Sequence, residues 1–116
     1  MFQTITAGSK QLDLRASGAT PIYFKTVFHK DIITALKSMD NEETVQEYAP
    51  ELAYIMNQQA AGSNMAMLNY DTFIEWLDQF EPLDLVMAAK DIITVYLASA
   101  KQTATPKKKA VKPKEN

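Results

Sequence analysis

Apolar and polar residues alternate at the start of the chain. Phe2, Thr4 and Thr6 fall on one side of an extended segment and Gln3, Ile5 and Ala7 on the other, and Gly8-Ser9-Lys10 supplies turn chemistry. From Gln11 to Ala16 the alternation resumes, with Leu12 and Leu14 sharing one face and Asp13 and Arg15 the other. The pattern predicts a β-hairpin over residues 1–16. Two strands are marginal on their own, so this hairpin must lay its apolar face on the rest of the chain or pair with a neighbouring subunit.

Beyond Ser17-Gly18-Ala19 the period lengthens to that of a helix. Thr20 is placed to cap a first helix and Pro21 suits its first position. Phe24, Val27, Phe28, Ile32, Ala35, Leu36 and Met39 then follow one helical face, predicting a single helix that ends near Asp40-Asn41. Val45, Tyr48, Leu52, Ile55 and Met56 predict a second helix, kinked or restarted at Pro50 and ended by Ala60-Ala61-Gly62-Ser63-Asn64. Asn69 is expected to cap a short third helix with Tyr70, Phe73, Ile74, Trp76, Leu77 and Phe80 inward. Pro82 opens a fourth that runs to about Ala100. Its Leu85, Val86, Ala89, Ile92, Ile93, Tyr96 and Leu97 cover most of its circumference, which makes it the expected central, buried element. After Gln102 the apolar pattern stops, and the Lys- and Pro-rich residues 103–116 offer too little to bury against the cost of ordering them. The expected architecture is mainly α: the hairpin (1–16) and a body of about four helices (17–102) forming one domain, then a disordered basic tail (103–116). Core positions are expected at Phe28, Phe73, Trp76, Leu77, Phe80, Ile92 and Tyr96.

Composition narrows the function classes. Absence of cysteine excludes disulfide frameworks, thiolate metal sites and cysteine nucleophiles, and fits a reducing cytoplasm. No signal-peptide pattern opens the chain and no run is long and apolar enough to span a membrane, so no membrane partner is expected. The net charge of −2 conceals an asymmetry: residues 101–116 carry six lysines and one glutamate, leaving −7 on residues 1–100. An acidic body argues against a globular nucleic-acid reader, although the tail alone could make salt-sensitive phosphate contacts.

Catalytic chemistry is hard to assemble from this inventory. The single histidine, His29, has no paired base or acid at helical spacing and reads as a solvent-facing or capping residue. Asp71, Glu75 and Asp78 line one helix face. That spacing would suit a hard cation or an acid/base pair, but they lie opposite Phe73, Trp76 and Leu77, where an amphipathic helix turns its polar side to water. Gly8, Gly18 and Gly62 form no phosphate loop. No cofactor and no metal are expected. Met56, Met65 and Met67, beside a small-residue stretch, are candidates for an adaptable partner-binding surface, with gap-filling in the core as their other reading.

Several runs resemble the tail assembly chaperones of long-tailed bacteriophages that infect Gram-positive bacteria. Gly18-Ala19-Thr20-Pro21-Ile22-Tyr23-Phe24-Lys25 is similar to the Gly-Thr-Pro, aromatic and basic run that opens that family's first helix. Phe28-His29-Lys30-Asp31-Ile32 stands where the family has Phe-Gly-Arg-Asp and an aliphatic residue, with histidine replacing the glycine. Leu52-Ala53-Tyr54-Ile55-Met56 and the stretch from Phe73 to Asp84 match further, the latter resembling the Trp-Leu-x-x-Phe run before the last helix, while Tyr96 stands where the family often has tryptophan. The resemblance spans roughly residues 1–100. It implies a non-enzymatic homo-oligomer of the host cytoplasm, not retained in the mature virion, that coats the tape measure protein until tail tube subunits polymerise. Through a frameshifted longer product, for which Lys107-Lys108-Lys109 could mark an adenine-rich slippery stretch, it would also meet the tail tube protein. The alternative is a small regulatory module that binds nucleic acid, or a DNA-bound partner, through Lys107 to Lys114.

Overall fold

The computed structural model describes residues 2–104, those beyond Ala98 by backbone alone. It is a mainly helical fold with an N-terminal hairpin of strands β1 (Phe2–Ala7) and β2 (Lys10–Arg15). The strands pair antiparallel with Ile5 opposite Leu12 and Thr4 opposite Asp13. Only Gly8-Ser9 forms the turn, and Gly8 adopts a positive φ of 64°, the conformation of the first central residue in a tight hairpin. Ile5, Ala7, Leu12 and Leu14 are buried, as alternation predicts, and the opposite face is exposed. Glycine is required at the turn for a second reason: a Cβ on Gly8 would lie 2.4 Å from the carboxyl of Asp84.

The first expected helix is two. Helix α1 (Thr20–Phe28) ends at His29, which caps it with left-handed φ and ψ of 58° and 36°, and α2 (Ile32–Ser38) begins after Asp31. Asp31 Oδ2 accepts the Thr34 N–H at 2.9 Å, which pulls its carboxyl below the usual carboxylate range. Apolar spacing runs through this corner undisturbed, so Phe28 and Ile32 both stay buried. Thr20 does not cap α1 with its side chain. It is buried, accepts the Ser17 N–H at 2.9 Å and donates to Gln59 Oε1 at 2.6 Å.

Helix α3 (Glu42–Ala61) is the central element, in place of the fourth expected helix. Residues 49–56 are all buried, Met56 completely so. Asn41 caps its start and Gly62, at φ 71°, stops it. The helix runs through Pro50 without a restart. Pro50 has no N–H to give the carbonyl one turn back, at Gln46. Among these apolar residues sits the buried Glu51, held by Lys30 from the α1–α2 corner at 3.0 Å. Lys30 also pairs with Glu47 and lies 4.7 Å from the centre of the Tyr48 ring.

Helix α4 (Tyr70–Leu77) opens with a capping box between Asn69 and Thr72. Phe73 is its buried residue, and it links Phe28, Tyr54 and Trp76 in a chain of ring contacts with centroids 4.9 to 6.4 Å apart. Trp76, Leu77 and Phe80 are half-buried against this core. Tyr70 and Ile74, expected inward, are 57% and 41% exposed, because a helix of two turns meets α3 along a narrow stripe. The final expected helix is divided at Ala88 into a single turn, α5 (Asp84–Met87), and α6 (Ala89–Ala104). Leu85, Ile92, Val95 and Tyr96 are buried, whereas Leu97 is half exposed. Except for Thr103 and Ala104 in α6, the basic tail lies outside the described residues.

Three substitutions test this packing. Trp76→Ala is expected to lower stability by about 3 kcal/mol, the low end for a large aromatic because the ring is only half-buried; an unchanged urea midpoint would contradict the ring chain. His29→Gly should stabilise by roughly 1 kcal/mol through relief of the left-handed backbone, read as a raised melting temperature. Lys30→Ala leaves the Glu51 carboxylate buried without its cation, a loss on the order of 2 kcal/mol at neutral pH. Burial already raises the Glu51 pKa, with the Lys30 bonds opposing. Because folded Glu51 therefore holds its proton more tightly than unfolded Glu51, its contribution to stability is full below the ordinary carboxylate range and declines as pH rises. Denaturant titrations should thus find the Lys30→Ala loss smaller at mildly acid pH; a pH-independent loss would mean that Glu51 carries no buried charge.

Candidate partner-binding groove

The three methionines expected to form a binding surface are separated by the fold. Met56 is wholly enclosed in α3 and belongs to the core, since its position on a helix buried all round leaves it no path to solvent. Met65 and Met67 lie in a single 3₁₀ turn, Met65–Met67, after α3, the first half-buried and the second 68% exposed. Met65 flanks a shallow cleft with Ile22, Tyr23 and Ser63, which Met56 does not line.

A different surface gathers apolar side chains at the start of α3. Two adjoining hollows of about 410 and 560 Å³ share Gln46, Leu83 and Val86. Pro50, Leu77, Phe80, Pro82 and Leu85 complete the first, and Met39, Val45 and Met87 extend the second toward the end of α2. Leu83 is 60% exposed and Met87 80%, one helical turn apart across α5. They are the outward surplus of a segment whose inward residues, Leu85 and Ala88, already fill the core. The groove therefore presents a largely apolar floor, crossed by Gln46, to solvent, the kind of surface that marks an interaction site.

Its rim is acidic. Asp40 and Glu42 line one end and Glu81 the other, all exposed, and among the described residues no lysine or arginine lines either hollow. Asn41 and Asp84 have local duties as well: Asn41 caps α3, and Asp84 Oδ2 accepts the Glu81 N–H at 3.0 Å, which fixes the loop that carries Leu83. Floor and rim together suit a segment with one apolar stripe and cations on its flanks.

The carboxylates Asp71 and Glu75 on α4 and Asp78 just after it are exposed, and among the described residues no group of three or more His, Cys, Asp or Glu is arranged to hold a metal ion. His29 is exposed and caps α1. No described helix is long and apolar enough to cross a membrane. Comparison with known proteins finds no matching family model, no matching curated protein and no matching solved structure.

Leu83, Val86 and Met87 carried a signal in the sequence. A helix apolar on more than one side has more such residues than one core can cover, and the surplus identifies an outward face. Which residues form that surplus depends on the break at Ala88, which spacing does not mark.

Proposed function

We propose that this chain is a non-enzymatic assembly chaperone of the phage-tail type, whose groove at the start of α3 holds amphipathic helical segments of a long partner such as a tape measure protein. The observation that supports this reading most is the open apolar floor of Leu83, Val86, Met87 and Val45 inside an acidic rim. A tape measure protein is a long helical chain with apolar stripes that aggregate unless covered, and covering them one segment at a time requires many copies of a small module. The hairpin-then-helices order and the runs around Pro21, Phe28 and Trp76 add the resemblance to tail assembly chaperones.

The test is a titration with a synthetic amphipathic helix bearing leucines on one face and lysines on its flanks, followed by fluorescence anisotropy, with a glutamate-flanked counterpart. The lysine peptide should bind and the glutamate peptide bind at least about tenfold more weakly. Leu83→Gln and Met87→Gln should each cost about tenfold in affinity, as expected when one exposed apolar side chain becomes covered on binding. The same variants should lose the ability to suppress light scattering by a tape measure protein diluted from denaturant. Equal affinity for both peptides, or wild-type suppression by both single variants, would overturn the reading.

A further inference from the structure

We propose that the free edge of β1 pairs antiparallel with β1 of a second copy of this chain, about a two-fold axis at Thr4, joining two hairpins into one four-stranded sheet. Gly8-Ser9 is a two-residue turn, so Ala7 and Lys10 form a hydrogen-bonded pair, and the alternation of an antiparallel ladder makes Ile5–Leu12 and Gln3–Leu14 the next such pairs. Phe2, Thr4 and Thr6 on β1, and Gln11, Asp13 and Arg15 on β2, therefore turn their backbone N–H and C=O groups away from the hairpin. Two contacts agree with this assignment. The Asp13 carbonyl is met from outside by Asn57 Nδ2 at 2.9 Å, and Thr4 Oγ1 reaches Asp13 Oδ1 at 2.6 Å, as the close side chains of a non-hydrogen-bonded pair allow.

The two edges differ in protection. β2 carries Lys10, Asp13 and Arg15, and Asn57 from α3 occupies its central outward carbonyl. Charged side chains and a covering group are the usual means of blocking strand addition. β1, Phe-Gln-Thr-Ile-Thr-Ala, has no charge, no proline and no bulge, and no described residue hydrogen-bonds to its outward edge. Such a strand is a template for another strand, and its own copy fits it. With Thr4 opposite Thr4 of the partner subunit, Phe2 stands opposite Thr6 of the partner subunit and the reverse, each match exchanging both hydrogen bonds. This register keeps Ile5 and Ala7 on the buried side of both hairpins and brings the 57% exposed Phe2 ring against a neighbour on the outer face. Because β1 is uncharged, the symmetric pairing brings no like charges together.

The pairing is independent of the groove, which lies on the α2–α3 connection, α3, the end of α4, α5 and the α4–α5 loop, and the two readings fail separately. Sedimentation of the full chain should give the mass of a dimer. The double substitution Phe2→Glu with Thr6→Glu places like charges opposite each other in each match and should give a monomer. Phe2→Glu with Thr6→Lys places opposite charges there and should restore the dimer. All four buried hairpin residues are untouched by these changes, and circular dichroism melts of both variants should match the wild type within a few degrees. A monomeric wild-type chain overturns the proposal. So does a dimer that treats the two double variants alike, because association through any other surface does not read the Phe2–Thr6 register. A monomer that still binds the lysine-flanked helix would remove the strand pairing and leave the groove; a dimer blind to that helix would do the opposite.

Discussion

A helix that is buried around its whole circumference needs a wall for every face, and residues 49–56 of α3 impose that demand on the rest of the chain. The hairpin supplies one wall through Leu12 and Leu14, α1 another through Phe24 and Phe28, α4 a third through Phe73, and α5 and α6 the last through Leu85 and Ile92. Polar groups then fix the register of the walls. Asn57 accepts the indole N–H of Trp76 at 3.0 Å while donating to β2, so one side chain aligns hairpin and α4. Gln59 does the same for the link before α1, with Ser17 and Thr20 as its partners. Satisfied in this way, the buried polar atoms specify a single arrangement of otherwise interchangeable apolar surfaces.

The one ion among these residues has a similar role. Glu51 in an apolar helix is costly to bury, and Lys30 offsets that cost only when the chain turns at His29. Burial pulls the Lys30 ammonium down, yet its bonds to Glu47 and Glu51 outweigh this and hold it above its ordinary value. The left-handed His29 thus stands immediately before the lysine of this tertiary ion pair.

Legibility in the sequence followed the range of the forces involved. The hairpin, the stop at Gly62 and the cap at Asn69 were readable because each is set by neighbours a few residues apart. The division at His29 was not, since Phe24, Val27, Phe28, Ile32 and Ala35 keep helical spacing across it, and that spacing outweighs the short local cap at Asp31–Thr34. The identity of the central helix was obscured for the same reason. Pro50 and Glu51 make α3 look like a surface element, while the mostly apolar stretch after Pro82, broken only by Asp84, Lys90 and Asp91 before Ile92, looks like a core one. The groove arises from that reversal. Once α3 occupies the centre, the apolar excess around Leu83 and Met87 has nowhere inside to go, and Met56, a candidate for contact with partners, is taken into the interior.

The hairpin's place in the core also orders events in time. β2 packs on α3, and both strands pack on α6, the last described element, so a hairpin synthesised before α6 finds its complete surroundings only once that helix exists. Until then Ile5 and Leu14 have only part of their final cover. Helices α1 to α4 form from shorter-range contacts, and the nascent chain thus completes its first strands after its later helices.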